Sequence, residues 1–396
     1  MNEGIDTPLR GREEEMLSNL KSRVGQTRRW LLVTASALAL IITSAACGGG
    51  ATPVQNPDTK LPGGAPAGAG VAGAKELTGA GATFPYPLYS KWFDVYNQTT
   101  GVKINYQSIG SGGGIKQLTE KTVDFGASDA PMTDDQIKAA GGNVLHIPTV
   151  LGAVVATYNV PGIEKGLKMS PDNLAAIFMG TIKRWNDSKI TADNPELKLP
   201  DTDIAVVHRS DGSGTTNMFT DYLSAVSVDW KGKVGKGTSV NWPVGLGAKG
   251  NEGVAGQVKQ TPGAIGYVEL AYAEQNKLSY ASMKNQAGRF VVPSLDSTTA
   301  AAAGASASMP EDLRVSIVNA PGDASYPISG YTYILVYQAQ QDEAKGKALV
   351  DFLWWGIHEG EGYAKALVYA PLPPEVVTRA EAKVKAITFQ GKAIRQ

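Results

Sequence analysis

Apolar residues along this chain fall into short runs of two periods, and the two alternate. Val102, Ile104 and Tyr106 occupy every second position, as in a strand with one buried face. Leu88, Trp92, Val95 and Tyr96 recur at helical spacing before that run, and Ile115 and Leu118 after it. Val123-Asp124-Phe125-Gly126-Ala127 predicts a further strand, closing on Ser128-Asp129-Ala130-Pro131, and Thr133 is placed to cap the next helix. Two strands are expected at Val144–Ile147 and Gly152–Tyr158, then a helix from Pro171 to Met179. Asp203 to Tyr222 passes from a strand, Ile204-Ala205-Val206-Val207, through a turn of small residues to a helix with Met218, Phe219 and Tyr222 on one face. Ala264–Val268 reads as a strand, Thr298–Ser308 as a surface loop or frayed helix, Thr332–Tyr337 as an alternating strand, and two amphipathic helices finish the chain. This rhythm predicts an α/β fold with a largely parallel sheet, whose ligands sit in loops at the carboxyl ends of strands.

The pattern changes before Glu76. Lys21, Arg23, Arg28 and Arg29 precede an uncharged run from Trp30 to Ala46, followed by Ser44-Ala45-Ala46-Cys47 and three glycines. A basic region, an apolar region and small residues describe an export signal; the alternative is a short membrane helix. The cysteine directly after small residues resembles a bacterial lipoprotein signal, which makes Cys47 the expected lipidation site, although Ser44 stands where Leu is usual. The charged residues before Met16 are long for such a signal, which makes Met16 a second candidate start. From Gly48 to Ala74 the chain is rich in Gly, Pro and Ala and reads as a flexible tether.

The 396 residues include 37 basic and 37 acidic ones, so bulk attraction to nucleic acid has no support and any anion must be selected by local groups. A single cysteine excludes an intrachain disulfide and a cysteine zinc cluster, and His146, His208 and His358 are scattered. No metal or cofactor is indicated.

Chemistry is concentrated in the turns. Gly81–Phe84, Gly110–Gly114 and Asp211–Thr216 are small-residue turns at element junctions, and Asp129 stands at a fourth. Arg209-Ser210-Asp211-Gly212-Ser213-Gly214-Thr215-Thr216 outlines an anion site, with N–H groups of a helix start aimed at the loop and Arg209 supplying a planar fork of donors. The alternative is a capped helix beside a surface Arg. Catalytic motifs fail: Trp230 stands where a nucleotide-binding loop ending at Gly235-Lys236-Gly237 needs its first glycine. Asp211 occupies the glycine position a nucleophile elbow around Ser213 would need.

Leu77-Thr78-Gly79-Ala80-Gly81-Ala82-Thr83-Phe84-Pro85, Val123 through Pro131 and Asp211-Gly212-Ser213-Gly214-Thr215 resemble the signatures of phosphate-binding proteins, the extracytoplasmic receptors of the high-affinity phosphate ABC importer. Trp242 through Asn251 and Pro262 through Glu269 are similar to that family too, and the resemblance runs from Glu76 to the C-terminus. It implies a two-lobe, type II periplasmic-binding-protein-like fold with the ligand in a cleft between lobes joined by hinge strands. The expected division is 1–46 signal, 47–75 tether, 76–155 with 325–396 as one lobe, and 156–324 as the other.

Carried over, Thr83 gives its hydroxyl, Phe84 its N–H, Ser111 its hydroxyl and N–H, and Arg209 its guanidinium, while Ser213, Gly214 and Thr215 donate from the helix start. Asp211 holds Arg209 in place, and His208 stands where some relatives carry a second Arg. Asp129 is the acceptor that rewards an anion carrying a proton and rejects one without. The resemblance implies a monomeric, cofactor-free, non-enzymatic lipoprotein whose partners are inorganic phosphate and the importer's membrane subunits. Alternatives are an exported phosphate-handling hydrolase, or a surface phosphate sensor using the same fold.

Overall fold

The computed structural model describes residues 73–396. The export segment, Cys47 and the tether as far as residue 72 lie outside the described residues. At their edge the Ala74 N–H donates to Ala344 O (2.9 Å), and Lys75 O accepts from the Lys103 N–H (2.8 Å).

Strands β1 (Glu76–Gly81) and β2 (Lys103–Ser108) run parallel, and β3 (Phe125–Ser128) pairs parallel with β1 on its other side. Helix α1 (Tyr86–Thr100) links β1 to β2, and α2 (Ser111–Thr119) links β2 to β3. Pro87 sits in the first turn of α1, where a missing N–H has no intrahelical partner to lose, and Gly101 at φ +75° stops the helix in the left-handed region. The face Leu88, Tyr89, Trp92, Phe93 and Tyr96 is buried, as its spacing predicts. Thr133 caps Asp134–Ala140 through a reciprocal box with Gln136, which leaves Asp129 free of capping duty.

The strands expected at Val144–Ile147 and Gly152–Tyr158 are one, β4 (Val144–Asn159), of 16 residues and buried almost throughout. β5 (Ala205–Arg209), β6 (Leu246–Ala248), β7 (Ala264–Glu269) and β8 (Ser329–Tyr337) complete the central sheet. The register of β8 on β4 shifts between Thr332 and Tyr333, opposite Pro148. A bulge there absorbs the residue without an N–H, so the strand continues.

The strand order is β2-β1-β3-β8-β4-β7-β5-β6, with Ser279–Tyr280 also paired to β4. β8 is antiparallel to both β3 and β4, and β4 is antiparallel to β7. The sheet is therefore mixed rather than largely parallel. Two parallel groups, β2-β1-β3 and β7-β5-β6, are joined through the two long central strands. Val144 to Ala153 of β4 serves the first group through β8, and Val154 to Asn159 serves the second through β7.

Around the sheet Trp92, Trp185, Trp230, Tyr89 and Tyr267 are fully buried. The Ala/Ser-rich stretch forms an ordered helix, Leu295–Ala305, with a capping box at Ser294. Among the described residues no helix is long and apolar enough to cross a membrane.

Candidate anion-binding site

The turns that follow β1, β2, β3 and β5 meet where the two halves of the sheet face each other. Small residues make the approach possible. The Gly112 N–H donates to Gly212 O (2.9 Å) across the junction. A Cβ on Gly110, at φ +88°, would lie 2.3 Å from Asp211 Oδ2. One on Gly214 would lie 2.6 Å from both Asp129 Cβ and Ser111 Oγ.

On the β5 side, helix α3 (Gly214–Val226) begins directly after the Arg209–Ser213 turn. Arg209 is 3% exposed. Its Nε and Nη2 donate to Asp211 Oδ1 (2.7 Å) and Oδ2 (2.6 Å), leaving Nη1 turned to Thr215 Oγ1 at 3.5 Å. Asp211 is fixed in turn by the Gly250 N–H (3.0 Å). Burial works against the charge on both members. The bonds and opposite charge between them outweigh it, holding the guanidinium charged and the Asp211 carboxyl below its ordinary range. The Arg209 N–H donates to Tyr267 Oη (3.1 Å), whose ring stacks on Phe219 with centroids 4.3 Å apart. The apolar face read from the sequence is therefore the floor that aims Arg209. His208 turns away and stacks on Trp242 at 4.8 Å.

Ser213 caps α3: its Oγ accepts from the Thr216 N–H (3.0 Å), and its own N–H donates to Thr238 O (2.8 Å). Its hydroxyl hydrogen is the donor left to it. The Gly214 N–H reaches across to Ser111 Oγ (2.9 Å), which also accepts from the Asp129 N–H (3.3 Å). With both lone pairs of that oxygen taken, the Ser111 hydroxyl retains only its hydrogen to offer.

On the β1 side, Thr83 and Phe84 follow Gly81, which sits at φ +143°. Thr83 O accepts from Tyr272 Oη (2.5 Å) and Phe84 O from Tyr369 Oη (2.6 Å). Among the described residues the Phe84 N–H has no hydrogen-bond acceptor. Asp129 Oδ1 accepts from Thr332 Oγ1 (2.9 Å), and Oδ2 lies 3.5 Å from Thr215 Oγ1. Burial raises the Asp129 pKa from 3.8 to about 7, against the bond from Thr332 and the charge of Arg209. A cavity of about 190 Å³ reaches Asp129 past Asp221, Lys236 and Arg314.

The structure thus gathers Thr83, Phe84, Ser111, Asp129, Arg209, Asp211, Ser213, Gly214 and Thr215 from stretches far apart in the chain. Three residues without a sequence-assigned role join them. Asn251, in the first turn of α4 (Gly250–Gln260), bonds to Thr83 and Thr215. Thr332 holds Asp129, and Tyr272, on α5 (Leu270–Asn276), holds Thr83. Asn251 lies inside a stretch that carried the resemblance, but an Asn in a first helical turn reads as ordinary helix-start chemistry. Among the described residues no cluster of His, Cys, Asp and Glu could hold a metal. Many donors, one buried cation and one acceptor of raised pKa suit an oxyanion that carries a proton.

The model of the PBP superfamily domain matches residues 64–354. The phosphate-binding protein PstS of Xylella fastidiosa (strain 9a5c) is 51% identical over 308 residues, covering 78% of this chain and 84% of that relative. The PstS of Pasteurella multocida (strain Pm70) is 48% identical over 326 residues, 82% of this chain and 94% of its own. A solved high-affinity periplasmic phosphate-binding protein, PfluDING with phosphate bound, superposes with a TM-score of 0.62 at 21% identity, over 78% of this chain and 93% of that one. The chain therefore belongs to the PBP superfamily and, within it, to the PstS family of phosphate-binding proteins. Its fold is the two-lobed one of that class, with the cleft between lobes that share hinge strands.

Proposed function

We propose that this protein is an extracytoplasmic receptor that binds inorganic phosphate and delivers it to the membrane subunits of an ABC importer. One observation carries the reading most: buried hydroxyls with filled lone pairs and a buried Arg209 surround a single acceptor, Asp129, whose pKa stands near 7. Thr83, Phe84, Ser111, Arg209, Ser213 and Thr215 donate to the ligand, while Gly214, expected as a donor, instead gives its N–H to Ser111 Oγ and so turns the Ser111 hydrogen outward. Asp129 accepts the ligand's proton, and Asp211 keeps Arg209 aimed. The lobes comprise 76–155 with 325–396, and 156–324, and the two halves of β4 support that division. The PstS relatives are named as phosphate-binding proteins, and the reading asks no covalent step of the site. Cys47 anchors the monomeric receptor to the membrane by lipid, which the basic and apolar run before it supports. Calorimetric titration of the soluble domain with phosphate and then sulfate tests the reading. Saturable heat with phosphate and little with sulfate is expected, and no heat with phosphate overturns it.

A further inference from the structure

The Thr83 hydroxyl is held in a way that the direct contacts to an anion do not explain. Its oxygen is 168 positions from Asn251 in sequence, yet accepts from both the Asn251 N–H (3.2 Å) and the Asn251 Nδ2 (2.8 Å). A hydroxyl oxygen has two lone pairs and one hydrogen. With both lone pairs filled, the hydrogen must point away from Asn251. Thr83 is 2% exposed, so bulk water does not meet that hydrogen.

The second hydrogen of Asn251 Nδ2 donates to Thr215 Oγ1 (3.1 Å). The orientation of the amide is fixed as well, because Asn251 Oδ1 accepts from the Glu269 N–H (2.9 Å). A flipped amide would set two donors against each other there. Asn251 stands on α4, beside β5 and β7, whereas Thr83 follows β1; the bond between them crosses the cleft. Tyr272 Oη crosses at the same place to Thr83 O, which belongs to the peptide carrying the Phe84 N–H. Polarising that carbonyl strengthens the N–H as a donor.

We propose that Asn251 is a cross-lobe positioning residue. By filling both acceptor sites of the Thr83 hydroxyl it forces that hydrogen toward the anion, and it does so only when the lobes are closed, while its bond to Thr215 Oγ1 holds the amide in place. The inference rests on the phosphate-binding reading above. Without the Asn251 amide the Thr83 hydroxyl is free to turn, and a bound anion meets its lone pairs as often as its hydrogen.

The test is a double-variant cycle in the intact chain, read by phosphate titration calorimetry, with circular dichroism and ligand-free melting as fold controls. Asn251→Leu keeps the volume and removes every side-chain bond; phosphate affinity is expected to fall about 30-fold, the scale of a lost charge-assisted bond. After Thr83→Val the same substitution is expected to cost about threefold or less, because the hydroxyl it acts through is gone. A purely structural role would make the two losses multiply. Should the leucine variant lose its native dichroism, Asn251→Asp carries the cycle. It keeps the shape and the Glu269 bond while inviting the Thr83 hydrogen toward itself, and is expected to bind at least about 30-fold more weakly. Wild-type binding with unchanged affinity in the Asn251 variants, or fully multiplying losses, overturns this inference alone. Wild type that binds no phosphate overturns the functional reading along with it.

Discussion

Asp129→Asn asks why an anion site should contain an acceptor at all. Burial lifts the Asp129 carboxyl to a pKa of about 7 despite the Thr332 bond and the charge of Arg209. An aprotic dianion such as sulfate then has two ways in. It can lie beside the ionised carboxylate, where even two unit charges about 3.5 Å apart repel by roughly 5 kcal/mol at an effective dielectric near 20, and a dianion by more. Otherwise Asp129 takes up a proton first, at about 1.4 kcal/mol for each pH unit above its pKa. Across about pH 7 to 9 the protonation route is the cheaper one, so it sets the penalty at about tenfold per pH unit and about 30-fold near pH 8.5. The sign follows: sulfate binding is linked to proton uptake, so its affinity declines as pH rises through and beyond about 7. Phosphate carries its own proton to the carboxylate and escapes that penalty. In Asp129→Asn the amide donates to sulfate at every pH and still accepts the phosphate proton through its oxygen. Sulfate affinity should become independent of pH, and the phosphate-to-sulfate ratio near pH 8.5 should fall by about 30-fold. Titration calorimetry of both anions, from about pH 7 to about pH 9 in folded wild type and variant, reads this directly. Wild-type sulfate affinity that is flat over that range, or a ratio the substitution leaves alone, refutes the reasoning.

Arg209→Ala removes the buried cation and should weaken phosphate binding by at least about 2 kcal/mol, while Arg209→Lys, without the planar fork, recovers only part of it; unchanged affinity in the folded alanine variant removes Arg209 from the site. Gly214→Ala suits the helix start but sets a methyl 2.6 Å from Asp129 Cβ and Ser111 Oγ, and should cost about 1–3 kcal/mol of closure. Small-angle scattering with saturating phosphate should show that variant more open than wild type, and identical profiles would show that the lobes absorb the methyl. Cys47→Ser should release the protein from the membrane fraction, because stable anchoring needs the acyl chains that only the thiol accepts; an unmodified Cys47 by intact mass in membrane-derived wild type ends that proposal.

The sequence made the local units of this fold legible and left its middle obscure. β1, β2, β3 and β5 each announce themselves by period and by the small-residue turn that follows, and the periodic face of α1 is the buried one. The antiparallel setting of β4 and β8 is a long-range choice, and no local pattern records which way a buried strand runs. Pro148 and Gly152 interrupt the apolar run of β4, and the bulge that accommodates Pro148, with Thr149 of β4 left out of the register, shows only once β8 is set beside it. Gly152 has a reason that only the structure supplies. A Cβ there would lie 2.6 Å from Phe84 Cζ, so the glycine makes room for the ring beneath the Thr83–Phe84 turn.

The same distinction governs the site. Arg209, Asp211, Ser213 and Thr215 share one turn, so their chemistry could be read as a unit, and Asp211 does grip Arg209 across two positions. Asn251, Thr332 and Tyr272 act through partners distant in sequence, and Asn251 and Tyr272 reach Thr83 across the cleft. Thr332 meets Asp129 over 203 positions, and Tyr272 meets Thr83 over 189. These cross-cleft bonds do more than hold the halves together. The Gly214 and Asn251 N–H groups are donors that water would satisfy in an open cleft. On closing they fill the acceptor sites of Ser111 and Thr83, and two hydroxyls able to play either part become donors alone. Closure and the site's preference for an anion are therefore made by the same bonds. A solute offering donors where an oxyanion offers acceptors finds the hydrogens of Thr83 and Ser111 already turned against it. The closed state then pays the desolvation of those groups with nothing to accept their hydrogens.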